Sequence, residues 1–236
     1  MKSVVKNSLL IVVLIFLIAG CSVSTSAETE AQSISLKEAE KVKIELLMGA
    51  GELNLTGGAD KETLVEATFS YNQPELKPVV DYNVSNKNGH LIIKNKDVSN
   101  VSLNNIENSW SLKLNDDVKK ELHVTLGAGE GTFKLGSMNV TFLDLKLGAG
   151  EVTLDFSGDW NQDAEANIKG GVGEATLLLP KDVGVKVKAV GGLGEINTNG
   201  LTKDGDFYVN DAFGKSDVNL YIDVKGGVGE INLKVE

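Results

Sequence analysis

Apolar and polar residues alternate along most of the chain after residue 40, which is the pattern of β-strands with one buried face. The segments 122–126 and 143–147, for example, have apolar residues at every second position. Each of these runs leads into a pair of glycines, and a second alternating run follows. The pattern therefore predicts a strand, a sharp turn and another strand.

This strand–turn–strand unit is repeated six times around the motif Gly-x-Gly-Glu, where x is Ala, Val or Leu. The two glycines allow a tight backbone corner, including a positive φ, without a clash at Cβ. The predicted corner residues are Gly49, Gly51, Glu52, Gly127, Gly129, Glu130, Gly148, Gly150, Glu151, Gly171, Gly173, Glu174, Gly192, Gly194, Glu195, Gly227, Gly229 and Glu230. The residue two positions after each glutamate is always Asn or Thr.

The six glutamates are separated by 78, 21, 23, 21 and 35 residues. Three successive intervals near 21 residues favour a repeat in which each coil holds two short strands and pairs in parallel with the next coil. The sequence thus predicts a mostly β fold, with a stacked parallel β-solenoid-like architecture of about 21-residue coils. A β-rich N-terminal half over residues 40–120 precedes the repeat domain at 121–236.

Three local features are predicted within this plan. Asn88-Gly89 between alternating runs is typical of a β-hairpin. Lys37–Lys43 has the composition for one or two helical turns at the start of the domain. The polar segment Thr202–Lys215 accounts for the long last interval and is expected to project as a loop or irregular coil.

The N-terminus has the features of a secretion signal. Two lysines precede the apolar run Leu9–Ala19, which is shorter than the ~20 residues that a membrane span requires. We therefore expect residues 1–20 to be a signal peptide, and residues 21–39 to be an acidic, Ser-rich tether. Ile18-Ala19-Gly20-Cys21 resembles the lipobox of bacterial lipoproteins, which implies lipidation of Cys21 and attachment to the extracytoplasmic face of the cell membrane. The alternative is an ordinary signal peptide with a chance cysteine.

Composition narrows the classes of function. Glycine makes up 26 of 236 residues, against a usual ~7%, and fifteen of them lie in or directly before the six motifs. A single cysteine excludes a disulfide scaffold, and a formal charge of −10 makes nucleic acid a poor partner. The excess of glycine therefore indicates recurring corners within a folded core.

The candidate chemistry is sparse. The repeated glutamates could bind cations such as Ca²⁺ if they stack, or accept hydrogen bonds at their own corners and face water, which is the favoured interpretation. Lys146, Lys169 and Lys225 precede three corners and are expected to offset part of this charge. His90 and His123 have no nucleophile pattern around them, and Trp110 and Trp160 are expected to pack or cap. No catalytic residue, metal or cofactor is predicted.

The repeat resembles the toast-rack family of bacterial envelope proteins, which is related to the C-terminal domain of LiaF-type response regulators and to adhesin-like β-repeat proteins. The segment Gly170–Asn197 carries the resemblance, and 47–58, 76–82 and 108–114 are similar to the domain that precedes it in the family. The resemblance implies a stacked β architecture on the envelope. With the lipobox-like end, the tether and the repeat, we expect a non-catalytic, membrane-anchored envelope lipoprotein that serves as a binding or regulatory module. A partner in an envelope-stress sensor system is one expectation, and a surface adhesin or carbohydrate-binding module is the alternative.

Overall fold

The computed structural model describes residues 27–96, 101 and 105–236. These residues form strands β1 (Glu28–Ser35), β2 (Lys41–Gly57), β3 (Thr63–Tyr71), β4 (Pro78–Ser85), β5 (Asn88–Asn95), β6 (Asn108–Leu114), β7 (Lys119–Lys134), β8 (Val140–Asp155), β9 (Ala164–Leu179), β10 (Gly184–Val190), β11 (Ile196–Asn199), β12 (Thr202–Asp204), β13 (Phe207–Val209), β14 (Asn219–Lys225) and β15 (Val228–Val235). A short 3₁₀ helix spans Pro74–Leu76. None of the helices in the described residues is long and apolar enough to cross a membrane. The predicted signal peptide and Cys21 lie outside the described residues.

The prediction of a mostly β protein is confirmed, and all fifteen described strands belong to one mixed sheet. Strands β2, β7, β8 and β9 are 16 or 17 residues long and run through the glycine corner. Each therefore has one arm before the corner and one arm after it. Both arms pair in parallel with the same arms of the neighbouring strand, without a change of register at the corner.

Six bent segments result, and we call them rungs 1 to 6 in their order across the sheet. Rungs 1 to 4 are β2, β7, β8 and β9. Rung 5 consists of β14 and β15, and rung 6 of β10 and β11. The last repeat in the sequence thus lies between the fourth and fifth. The equal 21-residue intervals suggested that Glu174 and Glu195 are on adjacent rungs, but the rung with Glu230 separates them.

The two glycines of each corner are required for different reasons. The second has a φ between +128° and +139° in all six copies, a conformation that side-chain-bearing residues rarely adopt. The first allows a close approach between rungs: a Cβ on Gly148 would lie 2.2 Å from the Gly127 carbonyl oxygen. The corner is therefore built from backbone packed directly on backbone.

The core lies between the two arms of the rungs. Alternate residues of every rung point inward, so in-register rows of Leu, Val, Ile and Phe side chains form one cluster that extends from Ala39 to Leu233. At the N-terminal end, β4 and β5 extend the first arms, while β6, β3 and β1 extend the second. The sheet continues through the β2–β7 pair across the expected boundary at residues 120–121.

Two expectations at the N-terminal side were wrong. Glu28–Ser35, which was assigned to the tether, is strand β1 and pairs antiparallel with β3. Glu30 of β1 forms an ion pair with Lys77 at 2.9 Å and accepts a hydrogen bond from Gln32. These polar contacts hold β1 on the sheet, although the segment has few apolar residues. Lys37–Lys43 forms no helix, because Lys41 already begins β2.

The predicted hairpin is confirmed, but its turn lies two residues earlier. Strands β4 and β5 pair from Pro78 with Asn95 to Ser85 with Asn88. The turn consists of Asn86 and Lys87, with φ values of 49° and 63°. Two successive positive φ values are those of a type I′ turn, which asparagine tolerates, so Asn88-Gly89 begins the second strand.

The Thr202–Lys215 insertion is more regular than expected. Strands β12 and β13 form a hairpin within it, and β13 pairs antiparallel with β10 on rung 6. The buried Asn210 fixes the rest: its side-chain amide donates to the carbonyls of Pro180 and Val183, and its oxygen accepts from Val185 and Phe213. The insertion therefore covers the first arm of the outermost rung.

Adjacent glycines at the corner of rung 4 should respond oppositely to the same substitution. Gly171→Ala places a Cβ 2.2 Å from the Gly148 carbonyl oxygen and should lower the free energy of unfolding by at least about 2 kcal/mol. Gly170→Ala meets no atom within 4 Å and should raise it by up to about 1 kcal/mol, since the unfolded chain loses freedom. Urea unfolding measures both, and equal effects would contradict the proposed packing.

Lys120 is buried at an inward position, in register with Val42 on rung 1. Its ammonium donates to the Val118 carbonyl at 2.6 Å. Burial lowers the pKa of Lys120 to about 8. The unfolded chain therefore binds more protons than the folded chain between pH 8 and the ordinary lysine value of 10.5.

The stability of the native chain relative to Lys120→Met should consequently rise with pH. The cost of the buried charge is fully present below pH 8, and it is relieved as the pH approaches 10.5, by about 3 kcal/mol. Urea unfolding at several pH values measures this difference. Lys119→Met makes the same change at the exposed neighbouring position and should show no such trend. A flat difference for Lys120→Met would contradict the assignment.

Candidate functional site

The corners of the six rungs line up into one continuous surface, which we call the corner surface. Its centre is the apolar residue between the two glycines of each rung. One flank is acidic on every rung, and the other is basic on rungs 3 to 5. In the order of the rungs, the central residues are Ala50, Ala128, Ala149, Val172, Val228 and Leu193. Neighbouring rungs in a sheet are about 4.8 Å apart, so the surface is about 24 Å long.

One flank of the corner surface is acidic. The structure brings all six predicted glutamates into a single row along the second arms, in the order Glu52, Glu130, Glu151, Glu174, Glu230 and Glu195. Like charges on adjacent strands repel one another. No ion pair within 4.0 Å reaches any of these glutamates from the described residues.

Side-chain amides and hydroxyls partly stabilise this row. The Asn or Thr two positions after each glutamate forms a parallel row on the same face. On rung 4, Glu174 accepts hydrogen bonds from Thr176 at 3.0 Å and from Asn232 of rung 5 at 2.7 Å. Asn197 of rung 6 donates in turn to the Asn232 oxygen at 3.0 Å. The hydrogen bonds to Glu174 thus come from neighbouring side chains, not from the corner amides.

The other flank is basic on rungs 3 to 5, where Lys146, Lys169 and Lys225 are in register. The lysines were expected to offset the corner glutamates, but two of them pair elsewhere. Lys146 lies 3.1 Å from Asp144, and Lys225 lies 3.3 Å from Asp223, each on its own strand. Because the lysines lie before the corner and the glutamates after it, the two charges occupy opposite sides of the apolar centre.

The position of apolar side chains changes along the corner surface. On rungs 1 to 3 the inward residue before the corner is Met48, Leu126 or Leu147, and the central outward residue is Ala. On rungs 4 to 6 the inward residue is glycine and the central residue is Val or Leu. Val172, Val228 and Leu193 are 56%, 48% and 73% exposed. The larger apolar side chain therefore lies inside the corner on rungs 1 to 3 and outside it on rungs 4 to 6.

The glycines on the inner side leave a small apolar cavity of about 30 Å³ below the corner of rungs 3 to 5. Leu147, Ile168, Val224 and Ile231 line it. Ile231 occupies part of the space above Gly226, whereas Gly170 faces no atom within 4 Å of its Cβ position. The cavity has room for a water-sized molecule but not for a substrate.

The histidines and tryptophans lie elsewhere. His90 Nε2 lies 2.7 Å from Glu45 Oε1 on the exposed face of rung 1. Hydrogen bonds from Lys43 and His90 lower the pKa of Glu45. His123 contacts the Phe142 ring, Trp110 packs edge-on against Phe69, and Trp160 stacks on Phe156. Both tryptophans therefore pack within the protein.

Among the residues that the structure describes, no group of three or more His, Cys, Asp or Glu side chains is placed to hold a metal ion. The exposed Val and Leu side chains, the most distinctive part of the corner surface, were not predicted from the sequence. The signal was present in the variable position of the Gly-x-Gly-Glu motif, which changes from Ala to Val and Leu along the chain.

Comparison with known proteins identifies the family. Residues 23–178, more than half of the chain, match the family described as the N-terminal domain of toast_rack, DUF2154. No protein with a curated description matches the chain.

The solved structures that resemble this one include two bacterial proteins. A protein from Clostridium sporogenes, described as a "putative cell adhesion protein", is 36% identical and has a TM-score of 0.82, covering 89% of this chain and 100% of its own. A "putative adhesin" from Bacteroides fragilis is 13% identical with a TM-score of 0.35, covering 91% and 100%. The family match and the 36% identity together show that this chain belongs to the toast-rack family.

Proposed function

We propose that this protein is a non-catalytic binding module of the cell surface, and that it binds other molecules through the exposed rows of its rungs. The in-register row of Asn and Thr side chains along the second arms carries the proposal. Its side-chain amides and hydroxyls can hydrogen-bond a partner, and the strand spacing repeats them about every 4.8 Å. The 36% identical relative, which is described as a "putative cell adhesion protein", favours an adhesion-type role.

We also infer that rungs 2 to 4 are successive turns of a solenoid-like coil, with 21 and 23 residues per turn, and that rungs 1, 5 and 6 extend it in parallel. The support comes from parallel pairing in constant register across rungs 1 to 5, on both sides of the corner. Such a coil holds its side-chain rows at a fixed spacing of about 4.8 Å. A rigid, repetitive surface of this kind suits binding to an extended partner, such as a glycan or an envelope protein.

The proposal includes a lipid anchor at Cys21 on the extracytoplasmic face of the cell membrane. The motivating feature is the lipobox-like sequence Ile18-Ala19-Gly20-Cys21. The described part of the chain begins at residue 27, directly before β1, and β1 lies at one edge of its arm of the sheet. From there to β11 at the opposite edge the arm spans nine strands, or about 38 Å. An anchored chain would therefore carry rungs 4 to 6 away from its attachment point.

The anchor predicts a clear result for Cys21→Ser. Cells that express the native chain should incorporate an alkyne-labelled fatty acid into it and retain it in the membrane fraction. The variant should be unlabelled and released from that fraction, because the acceptor thiol is missing. Ser22→Ala is the matched control and should behave as the native chain. A native chain without label would contradict the anchor.

The binding role is tested by photo-crosslinking in living cells. A photoreactive residue at Thr132, which is exposed beside the glutamate row, should form adducts that mass spectrometry identifies as an envelope glycan or another protein. The same residue at Lys61, in the exposed segment between β2 and β3, is the control and should give fewer adducts. Absence of any adduct at Thr132, or adducts only between copies of this chain, would contradict binding to other molecules.

A further inference from the structure

The corner surface places its largest apolar groups where they contribute least to folding. Val172, Val228 and Leu193 are about half to three-quarters exposed, while the inward positions of the same rungs are glycine. Burying a Val or Leu side chain stabilises a fold by about 1.5–3 kcal/mol, and these exposed side chains do not supply that stabilisation. A second surface that covers the exposed side chains would recover that contribution.

The backbone next to these side chains allows a close approach. A glycine lies on each side of every central residue, so no side chain rises between the apolar centre and its charged flanks. The pairing stays in register across rungs 3 to 5, so the central residues of these rungs are direct neighbours. A partner with the same shape could therefore contact the whole apolar centre.

The charges on the two flanks indicate which partner fits. On rungs 3 to 5 the lysine flank consists of Lys146, Lys169 and Lys225, and the opposite flank consists of Glu151, Glu174 and Glu230. Lys146 and Lys225 pair with the part-buried Asp144 and Asp223, but both lysine side chains are 55% exposed, and ion pairs with an exposed partner stabilise little. The glutamates have no ion pair among the described residues. Each flank thus lacks a strong partner of opposite charge within its own chain.

A second copy of the chain supplies both partners in one orientation. A two-fold axis parallel to the row of rungs brings each rung opposite the same rung of the other copy, with lysines facing glutamates on both sides. A two-fold axis perpendicular to the row brings lysines against lysines and glutamates against glutamates, which is repulsive. The charge pattern therefore selects the parallel arrangement.

We propose that two copies of this chain associate in parallel through their corner surfaces, with Val172, Val228 and Leu193 at the centre and the lysine flank of each copy against the glutamate flank of the other. Both β1 strands then lie at the same end of the dimer, so two copies can extend from one membrane. The association requires neither the anchor nor binding to any other molecule, and it can be tested separately from the proposed function.

Sedimentation analysis of the detergent-solubilised full chain tests the association. The native chain should form a dimer whose population rises with protein concentration. The triple change Lys146→Glu, Lys169→Glu and Lys225→Glu should weaken the dimer at least about tenfold, because two acidic flanks then meet. The triple change Glu151→Lys, Glu174→Lys and Glu230→Lys should weaken it similarly. Far-UV circular dichroism and urea unfolding verify that both variants fold.

Mixing the two triple variants distinguishes the loss of charge pairing from general damage to the interface. An equimolar mixture of the two triple variants should form a heterodimer, and the chain with all six reversals should recover the native dimer. A native chain that stays monomeric, or triple variants that dimerise as well as the native chain, would overturn the proposal.

Cysteine crosslinking tests the parallel orientation. Leu193→Cys, on the outermost rung, should form disulfide-linked dimers on mild oxidation, because the same rungs face each other. Val79→Cys, at an exposed apolar position of β4 away from the corner, is the matched control and should not crosslink. If Leu193→Cys crosslinks only when mixed with Ala50→Cys, the copies are antiparallel and the proposal is wrong.

Discussion

The fold depends on the direct packing of peptide backbone on peptide backbone at the corners. On rungs 1 to 3, the carbonyl oxygen of the second glycine lies 1.8 to 1.9 Å from the point that a Cβ on the matching glycine of the next rung would occupy. That glycine also has a φ that L-residues avoid. A side chain at either glycine would force the rungs apart and interrupt the parallel ladder on both arms. The repeat can therefore vary its side chains widely, but not its corners.

The same constraint determines the surface chemistry. Because each corner fixes the register of its rung, equivalent residues of all rungs fall into straight rows, and like charges become neighbours. An adjacent row of Asn and Thr side chains offsets part of the repulsion between the glutamates, as in the Glu174–Asn232–Asn197 chain of hydrogen bonds. It also places lysines on the opposite arm. A register fixed by the backbone thus converts a short sequence motif into extended stripes of single chemical character.

Much of this architecture could be predicted from the chain, because the corner motif and the period-two alternation are local signals. The order of the rungs could not, since the sequence gives the spacing between repeats but not which edge each one joins. Strand β1 was missed because two of its three inward positions are Glu30 and Gln32, whose polar contacts with each other and with Lys77 only the fold reveals. The burial of Lys120 could not be predicted either. Lys120 occupies an inward position in the alternating pattern, but a charged side chain is expected to face solvent.

The outward shift of apolar groups along the corners is a feature that folding stability alone does not explain. A corner with an inward Leu and an outward Ala fills the core, and rungs 2 and 3 have that form. Rungs 4 to 6 have the reverse, and a cavity remains beneath Val172 and Val228. Selection for stability would favour filling that cavity before exposing valine and leucine to water. The three C-terminal rungs therefore have the composition of a surface adapted to contact, carried by the same backbone geometry that keeps the rest of the protein folded.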